Sequence, residues 1–526
     1  MFWADEIAEE VIRRYSDVIA AGQPLIIRDE KTASGQVHVG SLRSAALHAM
    51  VADALTTRGV AVEFQFEIND FDPMDGIPAY LDTAEYQKYM GVQLYKIPSP
   101  EAGFANFAEL YGQEYVNVLE RIGFKASVYR ASELYRSGAM NEVIKKALER
   151  RAIVRDIYKR VSGSEKKEDW YPFNVACEQC GNLSATVVTD FDGETVAYTC
   201  EPAAVDWAKG CGHSGRISPF DGNGKLPWKL DWAGKFVVKG VHFEGGGKDH
   251  YTKGGSRQVA EAIAREVFDH EPPYGVFNEF FLVGGKKMSS SKGNAATAVE
   301  MANLLPPHLL RFLLIKSPIN RQINFDPNED AVPVLFDAYD RAAAAYWAGV
   351  VDDTTRAFWF SHFKDERTDI KTRFLPRFSQ VAFLVQMPHI ALEEEVAMMK
   401  EDALTELDRF ELEERSLYAK RWLTDYAEER FVFTLQESLP AAVATLSNEQ
   451  KKALTTLADR IEMAPALDGQ TLHELIHSVK EECGLDPKTF FTAIYIAFLG
   501  KESGPKVGWF LSTLTKDFLL QRLRAV

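Results

Sequence analysis

The chain is 526 residues long, 46% hydrophobic and 26% charged, with a formal net charge of −16 at pH 7, so its length predicts roughly three to four globular domains. Its most apolar run, residues 490–499, falls well short of the ~20 residues that span a bilayer, and its amino terminus lacks the basic and apolar regions of a secretory signal. We therefore expect a cytoplasmic protein that binds no membrane, and the acidic balance disfavours a nucleic-acid partner unless basic surface is concentrated locally.

The amino-terminal stretch predicts a βαβ unit, in which a strand, a helix and a parallel strand follow one another. The hydrophobic pattern gives an amphipathic helix over residues 4–15, then a strand at 25–27, a helix at 42–55 and a strand at 60–68. Polar loops follow the two strands, over residues 28–41 and 69–75. Ligands of such sheets bind beyond the carboxyl ends of the strands, so we expect the functional site beside these loops. Their spacing matches neither the dinucleotide Gly-rich fingerprint nor a Walker loop.

The rest of the chain changes character three times. Residues 104–160 have helical periodicity, whereas residues 170–215 predict strands and turns and hold four of the five cysteines. Residues 225–290 return to alternating strands and loops, which we interpret as the second half of the same α/β sheet. From about residue 300 onward the chain is helix-periodic, which predicts an all-α module with its own core.

Two short motifs carry the chemistry. Lys287-Met288-Ser289-Ser290-Ser291-Lys292-Gly293-Asn294 sets two cations in a run of small residues, which suits a departing polyphosphate. His38-Val39-Gly40-Ser41 stands where a loop enters a helix, so the imidazole can donate to phosphate and the glycine lets an adenine or ribose approach the backbone. Alone, the first motif is often a solvated turn and the second a helix cap. When the two motifs occur together, in this order and on two halves of one sheet, the pair is a specific functional signal.

Together the two motifs resemble the signatures of class I aminoacyl-tRNA synthetases. Further stretches are similar to the class I lysyl-tRNA synthetases, and the resemblance covers essentially the whole chain. These stretches are Trp3-Ala4-Asp5, Lys31-Thr32-Ala33-Ser34-Gly35, Asp70-Phe71-Asp72-Pro73, the tryptophan-containing run at 224–232, Gly247-Lys248-Asp249-His250, Gly254-Gly255-Ser256 and the tail at 500–505.

The resemblance implies an α/β fold with a Rossmann-type parallel sheet that is split by an inserted connective region and followed by an all-α helical-bundle domain. We expect the first half of the catalytic domain at 1–94 and the connective insertion at 95–224, with a zinc-binding knuckle at 170–215. The second catalytic half is expected at 225–300, a helical connector at 301–345 and an α-helical anticodon-binding domain at 346–526.

The implied reaction is the ATP-dependent attachment of L-lysine to tRNA(Lys) through a lysyl-adenylate. Such chemistry depends on positioning and charge stabilisation and needs no protein nucleophile. By resemblance, the residues that stabilise the reacting phosphates are His38, Gly40, Ser41, Lys287 and Lys292. ATP, with Mg²⁺ bridging its phosphates, is expected to contact these residues together with Ser34, Gly35, Gly254, Gly255, Ser256, Met288, Ser289 and Ser290.

A lysine pocket needs an acid for the ammonium group and aromatic walls along the four-carbon stem. By resemblance, Thr32, Trp228 and His250 match family positions that line the lysine site. Asp70, Asp249 and Phe277 are expected as their neighbours, and Glu30 is a further candidate. Glu30 stands where the family usually has glycine, and Ser41 where it usually has Asn or Thr. Two alternatives are open for Glu30: it pairs with the ammonium of lysine, or it faces solvent or bridges Arg28 or Lys31.

The cysteines predict one structural Zn²⁺ per chain. Cys177-x2-Cys180 is half of a zinc knuckle, and Cys200 and Cys211 supply the remaining ligands. His213 is an alternative fourth ligand, because the gap between Cys200 and Cys211 is long for a knuckle. Reduced, buried cysteines without metal are the other interpretation. Residues 95–110, where some family members carry another metal site, contain neither Cys nor His, so we expect no second site.

Three functions compete at this point. The first is lysine attachment to tRNA, and the second is a class I synthetase of glutamyl, arginyl or cysteinyl type. The third is a synthetase-like protein that binds tRNA without charging it. The tryptophan and Lys-Asp-His stretches favour lysine, and the intact signatures favour catalysis. In the helical domain, Arg373, Arg377 and Trp422 are candidates for exposed contacts with RNA bases. We expect a monomer.

Overall fold

The computed structural model describes residues 1–287, 296–387 and 390–526. They form two compact units, one of residues 1–325 and 342–370 and the other of residues 326–341 and 371–526. The predicted site residues Met288, Ser289, Ser290 and Lys292 lie outside the described residues, and so does the side chain of Lys287.

The first unit alternates helices and strands along most of its length. Its helices up to residue 325 are α1 Trp3–Arg14, α2 Ser16–Ala20, α3 Ser41–Thr57, α4 Thr83–Tyr86, α5 Phe107–Arg121, α6 Ala131–Arg136, α7 Asn141–Glu149, α8 Arg151–Ser162, α9 Trp228–Val238, α10 Ser256–Glu266, α11 Ala298–Leu304 and α12 Pro307–Ile315. Its strands are β1 Leu25–Thr32, β2 Val62–Asn69, β3 Ser127–Arg130, β4 Asn174–Val175, β5 Thr186–Phe191, β6 Val196–Cys200, β7 Ser214–Ile217, β8 Gly224–Lys225, β9 Gly246–Gly247, β10 Phe277–Asn278, β11 Phe281–Val283, β12 Lys286–Lys287 and β13 Ile323–Asn324.

A parallel sheet confirms the predicted α/β fold. Strand β1 pairs in parallel with β2, from Leu25 opposite Val62 to Thr32 opposite Asn69, and β2 pairs in parallel with β3. On the other side of β1, parallel bridges join Ile27 to Phe243 and Phe243 to Tyr274, and β9 pairs with β10. Later parts of the chain are therefore added on both sides of β1, so the strand order reverses at this strand. Such a reversal is the switch point at which ligands of open α/β sheets bind.

Strand β3 lies within the stretch 95–224, which the sequence predicts to be an insertion. It is four residues long and pairs with β2 over residues 127–130, and α5 supplies the crossover between the two strands. The first part of the sheet thus continues beyond residue 94. The helical periodicity of residues 104–160 is interrupted at this strand.

The loop before helix α3 is hydrogen-bonded to the chain that follows residue 295. The backbone N–H of Val39 donates to the carbonyl of Ala296 at 2.9 Å, and that of Ala298 donates to the carbonyl of Val37 at 2.8 Å. His38 and Thr297 form an antiparallel bridge between these bonds. The loop of the first signature is therefore hydrogen-bonded to the segment that directly follows the second signature.

The cysteine-rich stretch forms its own small sheet. Strands β5, β6 and β7 pair antiparallel, and β4 pairs antiparallel with β8. Inward-facing Val188, Val196 and Tyr198 join a core with helices α7 to α10. The knuckle is thus packed against the helices of the same unit.

The second unit is helical, as predicted. Helix α13 Ala331–Trp347 crosses the boundary between the units, and α14 Asp353–Ser361 returns to the first. The remaining helices are α15 Phe378–Leu384, α16 Leu392–Lys400, α17 Glu406–Asp425, α18 Asn448–Met463, α19 Gly469–Glu482, α20 Pro487–Leu499, α21 Val507–Ser512 and α22 Lys516–Arg524. Trp422 is only 2% exposed, and its indole N–H donates to the carbonyl of Pro327 at 2.8 Å. Trp422 is therefore a packing residue of this unit and not an exposed one.

Across residues 1–287, 296–387 and 390–526, no single helix is both long and apolar enough to cross a membrane. Helices α11 and α12 reach the necessary length only as a pair, and a bend of 118° separates them.

Candidate active site

A cavity of about 520 Å³ opens at the carboxyl edge of the parallel sheet. This volume lies within the usual range for a site that binds small molecules. Its walls come from the end of β1, the loop before α3, the ends of β2 and β9, and the start of α9. It therefore occupies the switch point of the sheet, where the sequence predicts the site.

Nine of the predicted site residues line this cavity. They come from both halves of the sheet: Glu30, Thr32, Ser34, His38, Gly40, Ser41, Trp228, Asp249 and His250. The structure thus brings the first signature together with most of the residues proposed for the lysine pocket.

The other described candidates lie outside the lining of the cavity as far as the described residues define it: Gly35, Asp70, Gly254, Gly255, Ser256 and Phe277. Asp70 is buried, and its carboxylate accepts hydrogen bonds from the backbone and hydroxyl of Ser132 at 2.7 and 2.5 Å. Gly35 has a φ of +144°, and a Cβ there would lie 2.8 Å from the hydroxyl of Tyr80. Packing alone accounts for glycine at this position.

Aromatic rings form one wall of the cavity. Trp228 stacks on Trp232 with ring centroids 6.0 Å apart, and the ring of His250 meets both edge-on at 5.6 and 5.7 Å. Trp228 is 46% exposed, which is unusual for a tryptophan used only in packing. Trp232 was not predicted, although its position one helical turn after Trp228 is a usable signal.

Beneath the cavity lies a group of buried ion pairs, here called the charged cluster. It contains three cations and five carboxylates: Arg28, Lys225 and Lys235 with Glu30, Glu67, Asp72, Asp231 and Glu244. Arg28 is fully buried and contacts Glu244 at 2.7 Å and Glu67 at 2.9 Å. Lys235 is also fully buried and bridges Glu67 and Asp231.

The electrostatics of the charged cluster follow from burial and pairing. Burial alone would raise the pKa of Asp231, but Lys225 and Lys235 hold that pKa below its ordinary value. For Glu244 the balance is the opposite: burial raises the pKa of its carboxyl, Arg28 only partly opposes the rise, and the neighbouring Glu30 adds to it. Glu244 is thus the less completely compensated of these two acids.

Glu30 forms an ion pair with Arg28 at 2.5 Å and lies 3.5 Å from Lys235. Of the two alternatives left open by the sequence, the structure contains the bridge to Arg28. Glu30 also lines the cavity.

Several lining residues were not predicted. Asp72 accepts hydrogen bonds from Thr32 at 2.9 Å and from Asn69 at 3.0 Å, so it occupies the position that the sequence suggested for Asp70. Lys31 also lines the cavity, and burial lowers the pKa of its ammonium. Asp231 stands in the tryptophan-containing run at 224–232 but was not singled out there. Glu244 had no distinctive sequence signal, because single acids are common in any strand or helix.

The four predicted cysteine ligands converge in the small antiparallel sheet. The sulfurs of Cys177, Cys180, Cys200 and Cys211 all lie within 4.8 Å of one another. Two pairs, Cys177 with Cys211 and Cys180 with Cys200, have Sγ atoms 3.7 Å apart. A tetrahedron with Zn–S bonds of about 2.3 Å has edges of about 3.8 Å, so the donor set fits zinc. This group includes Cys211 and not His213, whose backbone carbonyl accepts from the N–H of Cys200.

Comparison with protein families gives two matches. Residues 1–363 match the family described as tRNA synthetases class I (K), and residues 421–526 match a family described as an anticodon binding domain. The first match covers the cavity and the cysteine site.

Full-length relatives point the same way. A lysine–tRNA ligase of Methanosarcina barkeri is 34% identical over 540 residues, with 99% of this chain and 96% of the relative covered. A lysine–tRNA ligase of Archaeoglobus fulgidus is 33% identical and is covered over its full length. Among solved structures, the match to a glutamate–tRNA ligase of Elizabethkingia meningosepticum covers 96% of this chain and 99% of that one, at 13% identity and a TM-score of 0.42.

Proposed function

We infer, because the chain belongs to the class I lysine-type tRNA synthetases, that lysine is activated in the cavity at the sheet edge before its transfer to tRNA. The enzyme is a lysine–tRNA ligase in its reaction, joining lysine to tRNA. The glutamyl, arginyl, cysteinyl and non-catalytic alternatives lose their support, because the full-length relatives are lysine–tRNA ligases.

The proposed chemistry has two steps. An oxygen of the lysine carboxylate attacks the α-phosphorus of ATP, and the bond to the leaving pyrophosphate breaks. A terminal ribose hydroxyl of tRNA(Lys) then attacks the lysyl carbonyl carbon, and AMP leaves. Both steps develop charge on phosphate oxygens, which donors held in place stabilise.

We assign these donors to the two signatures. His38, Gly40 and Ser41 approach the phosphates from the start of α3, and Lys287 and Lys292 approach from the second signature. Mg²⁺, bound to the phosphates of ATP, would neutralise part of their charge. The observation that carries this assignment is the bridge between His38 and Thr297, which joins the first signature to the chain five residues beyond Lys292.

Lysine itself is proposed to lie along the aromatic wall. Trp228 and His250 flank its four-carbon stem, and the acids of the cavity attract its ammonium group. Thr32, Asp249 and Glu30 complete the pocket, and Asp72 and Trp232 join it as further contacts. Gly35, Gly254, Gly255 and Ser256 would act on ATP indirectly, through the shape of the backbone around the cavity.

We propose that Cys177, Cys180, Cys200 and Cys211 hold one structural Zn²⁺. Four thiolates fill a tetrahedral site and leave no position for water or substrate. The ion would fix the small antiparallel sheet and take no part in lysine transfer.

The helical region is proposed to hold the tRNA anticodon, and the segment boundaries stay as predicted except that the first half of the sheet includes β3. Arg373 and Arg377 are paired with Glu411 at 2.7 Å and Asp337 at 2.7 Å. Of the two, Arg377 is the better candidate for RNA contact, since its side chain is 62% exposed. A monomeric, cytoplasmic enzyme remains our expectation.

The test is amino-acid-dependent ATP–pyrophosphate exchange with each standard amino acid, with and without tRNA. Lysine should be the substrate that supports exchange. Both conditions are needed, because some class I enzymes activate their amino acid only when tRNA is present. If another amino acid worked and lysine failed with tRNA present, the proposed function would be wrong.

A further inference from the structure

Glu244 has a feature that the proposed chemistry does not use. It lines the cavity but is only 2% exposed. One carboxylate oxygen, Oε1, accepts hydrogen bonds from Arg28 Nη1 at 2.7 Å and from the indole N–H of Trp232 at 2.6 Å. The other oxygen, Oε2, is buried and accepts no hydrogen bond from any residue that the structure describes.

A buried carboxylate oxygen without a donor is costly, on the order of 1–3 kcal/mol or more for a charged group. Native proteins contain few such atoms, and each calls for an explanation. Glu244 lines the cavity, and its Oε2 is covered there, so a ligand in the cavity supplies the missing donor once the side chains over this oxygen move aside.

The charge balance indicates which kind of ligand group this is. Five carboxylates and three cations make up the charged cluster, so its acids outnumber its cations by two. A neutral donor such as the amino group of adenine would satisfy the hydrogen bond but not the charge. Phosphate would be repelled. An ammonium group supplies both a positive charge and three N–H donors.

Glu30 is less suited to the same role. Its Oε2 is already bound by Arg28 and lies near Lys235, and its side chain is 29% exposed, so water can reach it. Glu244 is shielded from water and is held in place by the indole of Trp232, the residue that stacks on Trp228. The aromatic wall and Glu244 are thus directly joined, because Trp232 belongs to the wall and donates to the carboxylate of Glu244.

We propose that Glu244 is the buried partner of the ε-ammonium of lysine and thereby a main determinant of amino-acid specificity. This inference rests on the proposed function, because it requires lysine to be the amino acid in the cavity. The α-ammonium is common to all amino acids, so a contact with that group would not select lysine.

The experiment compares lysine with L-norleucine, which has a similar chain but no ε-ammonium. The KM for lysine and the Ki for norleucine are measured in pyrophosphate exchange with tRNA present. Glu244→Gln should raise the KM for lysine by about 10²-fold, the scale for removing one partner of a buried charge pair. It should leave the Ki for norleucine nearly unchanged.

Glu67→Gln is the matched control. Glu67 is also buried, contacts the same Arg28 as Glu244 and, in addition, Lys235, and does not line the cavity as the described residues define it. Glu67→Gln disturbs the charged cluster without removing the proposed contact, so it should change the KM for lysine and the Ki for norleucine by the same factor. Glu244→Asp keeps the charge, so it should retain a preference for lysine and provides a second variant if Glu244→Gln fails to fold.

Equal weakening of lysine and norleucine in Glu244→Gln, or no effect on either, would overturn the proposal. The proposal would also be overturned if Glu244→Asp lost its preference for lysine over norleucine as completely as Glu244→Gln. Failure of the wild-type enzyme to activate lysine would instead reject the proposed function, so the two failures are distinguishable.

Discussion

The cysteine site and the charged cluster are both built from residues distant in sequence, yet they differ in how they are encoded. The cysteine site uses a scarce residue type, and Cys177, Cys180, Cys200 and Cys211 are four of the five cysteines of the chain. The charged cluster uses acids and bases that are common everywhere, on β1, β2, the loop after β2, β8, α9 and the chain before β9. The proposed metal site is thus visible as spacing in the sequence, whereas the proposed selectivity for a charged ligand depends on a charge imbalance that only the fold creates.

The largest expected effect is on the cysteine site. Cys200→Ser should reduce bound zinc from about one per chain towards none and lower the melting temperature, because a structural zinc contributes directly to folding. Metal analysis after dialysis against a mild chelator, with thermal unfolding, measures both effects.

Cys483→Ser is the control for this change, since Cys483 lies at the end of α19 and away from the cluster of four. It should keep its zinc. A wild-type protein with zinc well below one per chain would reject the site and remove half of the comparison.

The second prediction concerns the stability of the charged cluster. Arg28→Met leaves Glu30, Glu67 and Glu244 without their shared cation, and breaking such buried pairs costs about 3–5 kcal/mol. Urea unfolding of the wild type and the variant measures this loss in the free energy of unfolding.

Arg216→Met provides the contrast beside the cysteine site. Arg216 pairs with Asp190 and Asp192, but its side chain is 44% exposed, so the expected cost is at most about 1 kcal/mol. Equal costs for the two variants would mean that Arg28 is no more essential than a surface ion pair.

The third prediction separates charge that binds lysine from charge that acts on phosphate. Lys292→Ala should slow adenylate formation by about 10²–10³-fold, the usual effect of losing one stabilising donor, with little change in the KM for lysine. Single-turnover and steady-state exchange kinetics give the two quantities. Lys292→Arg should retain more of the rate. A large rise in the lysine KM instead would place this residue on the other ligand.

The smallest effect is expected at the aromatic wall. Trp228→Ala should raise the KM for lysine by about two- to fivefold, since a partly exposed cation–π contact contributes about 0.5–1 kcal/mol. Trp228→Phe keeps a ring and should lie closer to wild type. If Trp228→Ala matched the effect of Glu244→Gln, selectivity would reside in the wall and not in the charged cluster.

Much of the sheet could be predicted from the sequence. The pattern places strands at 25–27 and 60–68 and a helix at 42–55, and the structure has β1, β2 and α3 at Leu25–Thr32, Val62–Asn69 and Ser41–Thr57. These elements have clear apolar periods. Strand β3 was missed because it has only four residues and lies between helices, too short for a period to be recognised.

The site divides in the same way. His38, Gly40, Trp228 and His250 stand in motifs, and the structure gathers them in one cavity. Asp70 and Asp72 lie in one motif, but only the structure distinguishes the acid held by Ser132 from the acid that lines the cavity. Glu244 is identifiable only by the hydrogen bonds it makes and by the one it lacks.

The excess negative charge beneath the cavity makes folding and lysine binding linked equilibria. Without a cationic ligand, the carboxylates of the charged cluster repel one another within a poorly solvated space. A lysine that neutralises one of them stabilises the folded chain by mass action, by about 2.7 kcal/mol at a hundred times its dissociation constant. We therefore expect the supply of lysine to raise the resistance of this enzyme to heat and proteolysis.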